Sequence, residues 1–203
     1  MAPGCESAIN LTMKHITLIL LLYLFSKEAA TQTIVTGNYI TSNDEPVATR
    51  IKVPKTLFGA INKSILQQKL VIVDSLDRLK KIKPGCIKAF QFTYNGENYF
   101  YAAKAIHRKN HAFLQLIADG PKARLFYYSK AFRNSVKEVC IVEKSNGEDL
   151  LLNNTMTRQK IIRKLLAFYD EDKSVGKVID KKLISKWHYK ASLESLASAI
   201  NHS

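Results

Sequence analysis

Nucleophilic catalysis needs a Ser, Cys or Thr beside a base, and beyond residue 31 the chain offers four histidines, His107, His111, His188 and His202. No G-x-S-x-G elbow surrounds a serine, and neither Cys86 nor Cys140 stands in a recognisable nucleophile motif. With 8 Gly, none arranged as G-x-x-x-x-G-K or G-x-G-x-x-G, the chain has no phosphate-cradling loop. His107 and His111 have the four-residue spacing that aligns two metal ligands on a helix. Arg108, Lys109 and Asn110 lie between them, however, and their surroundings read as a solvated hairpin tip. A zinc site would also recruit a third or fourth ligand. The acidic residues fall mostly in turns, so no carboxylate pair for glycoside hydrolysis can be nominated. Catalytic residues, cofactor and metal site are all predicted to be none.

Cations are the more informative group. Arg78, Lys80, Lys81, Lys83 and Lys88 gather around one loop, while Lys122, Arg124, Lys130 and Arg133 interleave with Phe126, Tyr127, Tyr128 and Phe132. Basic groups among aromatics can hold single-stranded nucleic acid by phosphate contact and stacking. They can equally meet anionic glycans or lipid headgroups, or face water. These nine residues form the predicted polyanion-binding surface, with nucleic acid the least favoured ligand. Alternation along Leu125 to Tyr128 places two of the aromatics in a core.

These residues belong to a chain of 203 with 31 Lys plus Arg against 17 Asp plus Glu, a formal charge of +14, and 46% hydrophobic residues. That composition excludes a disordered polyelectrolyte and a Pro/Gly-rich polymer, and three cysteines are too few for a disulfide scaffold. The length suits one domain with a helical appendix. Ile16 to Phe25 is a ten-residue apolar run preceded by Lys14 and followed by Ala29, Ala30 and Thr31. A spanning helix needs about 20 apolar residues, so this segment reads as a secretory leader cleaved near Thr31–Gln32, with Met13 as the start that supplies the basic end. Residues 1–31 are therefore a leader, and no transmembrane span is predicted in the mature chain. The basicity remains after cleavage: residues 32–154 carry 19 basic and 10 acidic residues, and residues 155–203 carry 10 and 5. Cys86 and Cys140 then remain as the only thiols. In an oxidising compartment they could form a disulfide. The other reading is two separate cysteines, with Cys140 a small hydrophobe in Val139-Cys140-Ile141-Val142.

The body, residues 32–154, shows β-branched and aromatic runs about every ten residues: Thr33–Thr41, Val47–Val53, Lys69–Asp74, Ile87–Tyr94, Tyr99–Ile106, Phe113–Ala118, Ala123–Ser129, Val136–Glu143 and Asp149–Leu152. This is the spacing of an antiparallel sheet. Asn95-Gly96 supplies the positive φ angles of a tight hairpin, and Asn43-Asp44-Glu45-Pro46, Asp119-Gly120-Pro121 and Asn146-Gly147 read as further reversals of a meander. After Asn154 the apolar period lengthens. Ile161, Ile162, Leu165, Leu166 and Tyr169 predict one helix, Val175, Val178, Ile179 and Leu183 a second, begun by Asp170-Glu171-Asp172, and Leu193, Leu196, Ala197 and Ile200 a third. Each carries one apolar stripe, for packing on the β body or, on a sharper reading, for an anionic lipid surface or partner.

Gly37-x-Tyr39-Ile40-Thr41, followed by Glu45-Pro46-Val47 and Ile51-Lys52-Val53-Pro54, resembles the opening "G-x-I-x-x-x-G-D-T" hairpin of uncharacterised exported proteins common in Bacteroidetes. Lys83-Pro84 with Ile87-Lys88-Ala89-Phe90 is similar to their "K-P-x-x-I-K-x-F" segment, and Phe113-Leu114 through Asp119-Gly120 to Leu125-Phe126-Tyr127-Tyr128 to their "F-L…G…L-Y-Y" pair. Asp44-Glu45-Pro46 stands where that family has Gly-Asp-Thr. The resemblance implies export and a β-rich fold; it brings no activity. The fold expected is thus α+β, an antiparallel β roll or barrel-like body (32–154) followed by a C-terminal helical segment (155–203) packed on it. The expected role is a periplasmic or extracellular binding or structural protein without catalysis, whose partner is an anionic envelope component or another envelope protein. An envelope enzyme with a site built from dispersed residues and a basic nucleic-acid-binding protein are the alternatives.

Overall fold

The computed structural model describes residues 32–107, 110–132, 135–181 and 189–202; the leader and Arg133 lie outside them. Ten strands form one antiparallel sheet: β1 Gln32–Thr41, β2 Pro46–Pro54, β3 Leu70–Val73, β4 Leu79–Ile82, β5 Ile87–Tyr94, β6 Glu97–His107, β7 Asn110–Ala118, β8 Arg124–Phe132, β9 Ser135–Glu143 and β10 Asp149–Asn153. A four-residue helix, α1 (Lys63–Leu66), precedes β3, and three C-terminal helices follow the sheet: α2 Arg158–Phe168, α3 Lys173–Lys181 and α4 Tyr189–Asn201. An antiparallel α+β body followed by helices is therefore what the chain forms. The sheet stays open rather than closing into a barrel, in the order β10-β9-β8-β7-β6-β5-β1-β2-β3-β4.

This order is a meander with one departure, since β5 lies beside β1 and not β4. The departure dictates curvature. Ile82 pairs with Leu70 toward the Pro54 end of β2, whereas Ile87 pairs with Thr41 near the Pro46 end. In a flat sheet those two points would sit ~19 Å apart across four strand spacings and ~25 Å apart along the strands. The link from Ile82 to Ile87 reaches at most ~18 Å. Strands β1–β5 must therefore coil strongly, and they wrap a core of Ile51, Val53, Leu66, Leu70, Ile72, Ile82, Ile87, Phe90 and Phe92 that runs on to Tyr101 and Phe113. Phe90 is its centre, stacked on Tyr101 with centroids 4.9 Å apart and edge-on to Phe113 at 4.9 Å.

Asn95 and Gly96, at φ 52° and 79°, make the β5–β6 reversal that Asn-Gly encodes, and Asp44 (φ 66°) turns β1 into β2. The pair Tyr101↔Gln115 continues through Tyr127 and Cys140 to Leu152, so these residues share one face across β6–β10. The β8–β10 part of that face carries the helices. Leu125, Cys140, Val142 and Leu152 pack with Ile161 and Leu165 of α2, Val175 and Ile179 of α3, and Leu193, Leu196 and Ile200 of α4. Leu183, assigned by pattern to the second helix, lies outside the described residues. Thr157 caps α2 by accepting from Lys160 N–H. Asp172 accepts from the N–H groups of Ser174 and Val175 at the start of α3. The Ser174 hydroxyl, that Val175 N–H and Lys122 together hold the Asp172 carboxyl down at about 2. Asn201 fastens the end of α4: its Oδ1 accepts from Lys122 N–H (3.0 Å) and Ala123 N–H (2.8 Å), and its Nδ2 donates to Ala123 O (2.9 Å). On the opposite face a third cluster joins Ala102, Leu114, Phe126, Tyr128, Val139 and Ile141. Among the described residues every buried side chain lies between Ile51 and Ile200.

Candidate functional site: the cationic groove of β2–β4

Strand β2 alternates cleanly. Ile51 and Val53 point into the roll, which leaves Arg50 and Lys52 on its outer surface. Register then sets a row across four strands: Ile34 pairs with Lys52, Ile51 with Ile72, and Val71 with Lys81. The outer face so reads Ile34, Lys52, Val71, Lys81. Lys52, Lys69 and Lys81 surround a groove of about 210 Å³ whose remaining walls are Pro54, Ile65, Val71 and Leu79, and no acidic residue lines it. Three ammonium groups about an apolar floor suit a ligand that is anionic at one end or along one edge. β4 is also an edge of the sheet, where its lysines guard an unpaired row of backbone groups.

Of the first predicted cluster, Lys80, Lys81 and Lys83 lie on or beside β4 and are exposed, with Lys80 and Lys81 on opposite faces of the strand. Arg78 is exposed but pairs with Asp74 at 2.9 Å, whose carboxyl is held below its ordinary range by Arg78 N–H and further hydrogen bonds. Lys88 sits on β5 against Asp44. The sequence reading overlooked Lys52 and Lys69. Lys52 was legible as the polar member of Ile51-Lys52-Val53, but its neighbour Lys81 depends on a register that no local pattern carries.

The second predicted cluster is not one surface. Lys122 faces Asp172 (3.4 Å) under the helices. Arg124 bonds Glu143 (3.0 Å) and Asp119 (3.1 Å), with its guanidinium 5.2 Å from the Phe126 ring centre. Lys130 lies six residues along β8, ~20 Å from Arg124. It lines a separate cleft of about 340 Å³ with Lys137, His107 and Tyr128, where hairpins β6–β7 and β8–β9 diverge. Lys130 and Lys137 are direct partners across the two strands. Phe126 and Tyr128 are buried, and the Tyr127 hydroxyl donates to Glu138 at 2.5 Å.

The most buried charged cluster went unpredicted. Lys104 bonds Glu143 and Asp149 over the Phe126 ring, joining β6, β9 and β10. Burial pushes the Glu143 carboxyl up, but the hydrogen bond and charge of Lys104, helped by Arg124, outweigh it and hold the group low. At Asp149 burial prevails, and Glu143 beside it adds to the rise. Such cross-strand ion pairs follow from register alone. Among the described residues no three of His, Cys, Asp and Glu converge as a metal site. His107 and His111 are exposed at the ends of the β6–β7 hairpin. No helix among the described residues is long and apolar enough to cross a membrane.

Of the two readings of the cysteines, the structure has the separate one: Cys86 and Cys140 are free thiols, the first exposed and the second buried. Cys140 is on β9 beneath the helices and Cys86 at the entry to β5, four strands away in the sheet. Bridging requires Cα atoms within ~7 Å. Burial pushes the Cys140 thiol well above its usual range. Of these two cysteines, native protein treated with iodoacetamide is therefore expected to be alkylated at Cys86 alone, and at both in urea, as read by peptide mass spectrometry.

No protein-family model, curated protein or solved structure matches this chain.

Proposed function

We propose that this protein is an exported, non-catalytic binding component of a bacterial cell envelope that holds an anionic envelope constituent on the β2–β4 groove. One observation carries the reading: Lys52, Lys69 and Lys81 converge on a groove that no acidic side chain lines. The apolar run Ile16–Phe25 and the resemblance at Gly37–Thr41 support export. Nucleic acid is the weaker ligand because the groove walls, Pro54, Ile65, Val71 and Leu79, are aliphatic and give a base no ring to stack on.

The test compares two triple variants of equal net charge. Changing Lys52, Lys69 and Lys81 to Gln is expected to weaken binding of a soluble sulfated glycan about ten-fold at physiological salt. The same change at Lys160, Lys173 and Lys177, exposed on α2 and α3, should alter it less than two-fold. Equal losses in the two variants, by isothermal titration, would mean that only the overall charge matters and would remove the groove as a site.

A further inference from the structure

We infer that the groove and the loop beside it form a docking surface for an anionic lipid bilayer, with Leu57 and Phe58 inserting among the acyl chains. The inference rests on the reading of the groove given above and names its anionic constituent. Loop 55–61 leaves β2 directly after Pro54, a groove residue, so the Leu57 Cα lies within ~11 Å of that wall. The loop is closed by its own hydrogen bonds. Thr56 N–H donates to Ala60 O (2.7 Å), Gly59 N–H to Thr56 O (3.0 Å), and Lys55 bridges to Ile61. Gly59, at φ 81°, makes the turn.

A loop so ordered could cover its apolar side chains, yet Leu57 is 78% and Phe58 97% exposed. Ile34 and Leu79, 52% and 53% exposed, continue the apolar surface on the outer face. Lys52, Lys69 and Lys81 line the groove beside them, while Lys55 turns to the other face of the sheet, 5.2 Å above the Tyr94 ring. An apolar tip beside a lysine-lined groove matches the depth profile of an anionic leaflet, with hydrocarbon inside and phosphate outside. Lysine stems extend along the apolar wall and place their charges at the phosphate level. The two signals reinforce each other, as stable membrane attachment requires.

The experiment is vesicle sedimentation of the protein as the secreting cell exports it, its leader removed there. Vesicles of phosphatidylcholine and phosphatidylglycerol in equal parts are expected to retain the protein; pure phosphatidylcholine should retain it at least ten-fold less, and raised salt should release it. Leu57→Ser with Phe58→Ser should lower partitioning onto the mixed vesicles about thirty-fold, while leaving soluble-glycan binding unchanged. Both residues are exposed, so these variants keep the fold. Unchanged vesicle binding in the tip variant overturns insertion and leaves the groove reading standing. Loss of both glycan and vesicle binding in the lysine variant but not the tip variant has the same meaning. A protein that binds neither probe overturns both readings. If sedimentation velocity without lipid shows a concentration-dependent dimer that the tip variant abolishes, the tip joins two copies of this chain and the bilayer is overturned as its partner.

Discussion

Gly37→Val is expected to prevent β1 from taking its place in the sheet, and Gly37→Ala to cost about 3 kcal/mol. A Cβ at this position would collide with the Gln91 carbonyl oxygen and would meet Ile51 Cδ1 at 2.6 Å and Phe92 Cβ at 3.0 Å. The first of these is backbone of the neighbouring strand, which cannot rotate away. The close approach arises where β1 lies between β2 and β5 in the coiled part of the sheet, with Gly37 paired to Thr49 on one side and Phe92 on the other. Urea unfolding should place Gly37→Ala at a much lower midpoint than Thr36→Ala, whose side chain is exposed one residue away. Ile51→Val should rescue Gly37→Ala only in part, because it removes the Cδ1 contact and leaves the carbonyl.

Gln67→Leu is expected to cost about 2–4 kcal/mol although the two side chains are close in size. Gln67 is the one buried polar residue described, 2% exposed just beyond α1. Pairing of β7 with β8 runs from Ala118↔Leu125 to Gln115↔Tyr127 and goes no farther. Where the strands part, Gln67 enters. Its Oε1 accepts from Ser129 N–H (3.3 Å), its Nε2 donates to Tyr127 O (3.4 Å), and its backbone O accepts from Phe113 N–H (2.9 Å). It thus completes the hydrogen bonding of two strands that no longer meet. Leucine keeps the third bond and abandons Ser129 N–H and Tyr127 O inside the protein. Gln67→Glu sharpens the test. Burial raises a carboxyl above its unfolded value of about 4.3. The protonated acid can reproduce both amide bonds, so this variant should be most stable below about pH 4 and lose stability as pH rises through the folded-state value. Urea midpoints at two pH values, with the unaltered protein as reference, measure the effect.

Much of this architecture was readable from periodicity. Nine of the ten strands coincide with alternating runs, and the described helices follow the 3.6-residue stripes that run through Leu165, Ile179 and Ile200. β4 escaped because Leu79-Lys80-Lys81-Ile82 has adjacent lysines where alternation would put one residue on each face. At an edge strand both are tolerated, since both faces there reach water. The neighbourhood of β1 and β5 was illegible for another reason: turn residues report which strands are joined, and β4 and β5 are joined without being paired. The same limit governed the site. Composition reveals cations, but Lys52 and Lys81 converge, and Arg124 and Lys130 separate, through strand register and the length of a strand. Arg124 is engaged by Glu143, whose position opposite it only the β8–β9 pairing fixes.

The placement of β1 beside β5 also sets the order and pace of folding. The β1–β2 and β5–β6 hairpins close over short turns, but joining β1 to β5 closes a loop of about fifty residues. That contact brings a large loss of chain entropy before the core within the coil rewards it. Until it forms, two preformed hairpins expose facing edges, and the rate at which they meet, on a scale of milliseconds to seconds, limits how soon the newly released chain escapes pairing with a neighbour.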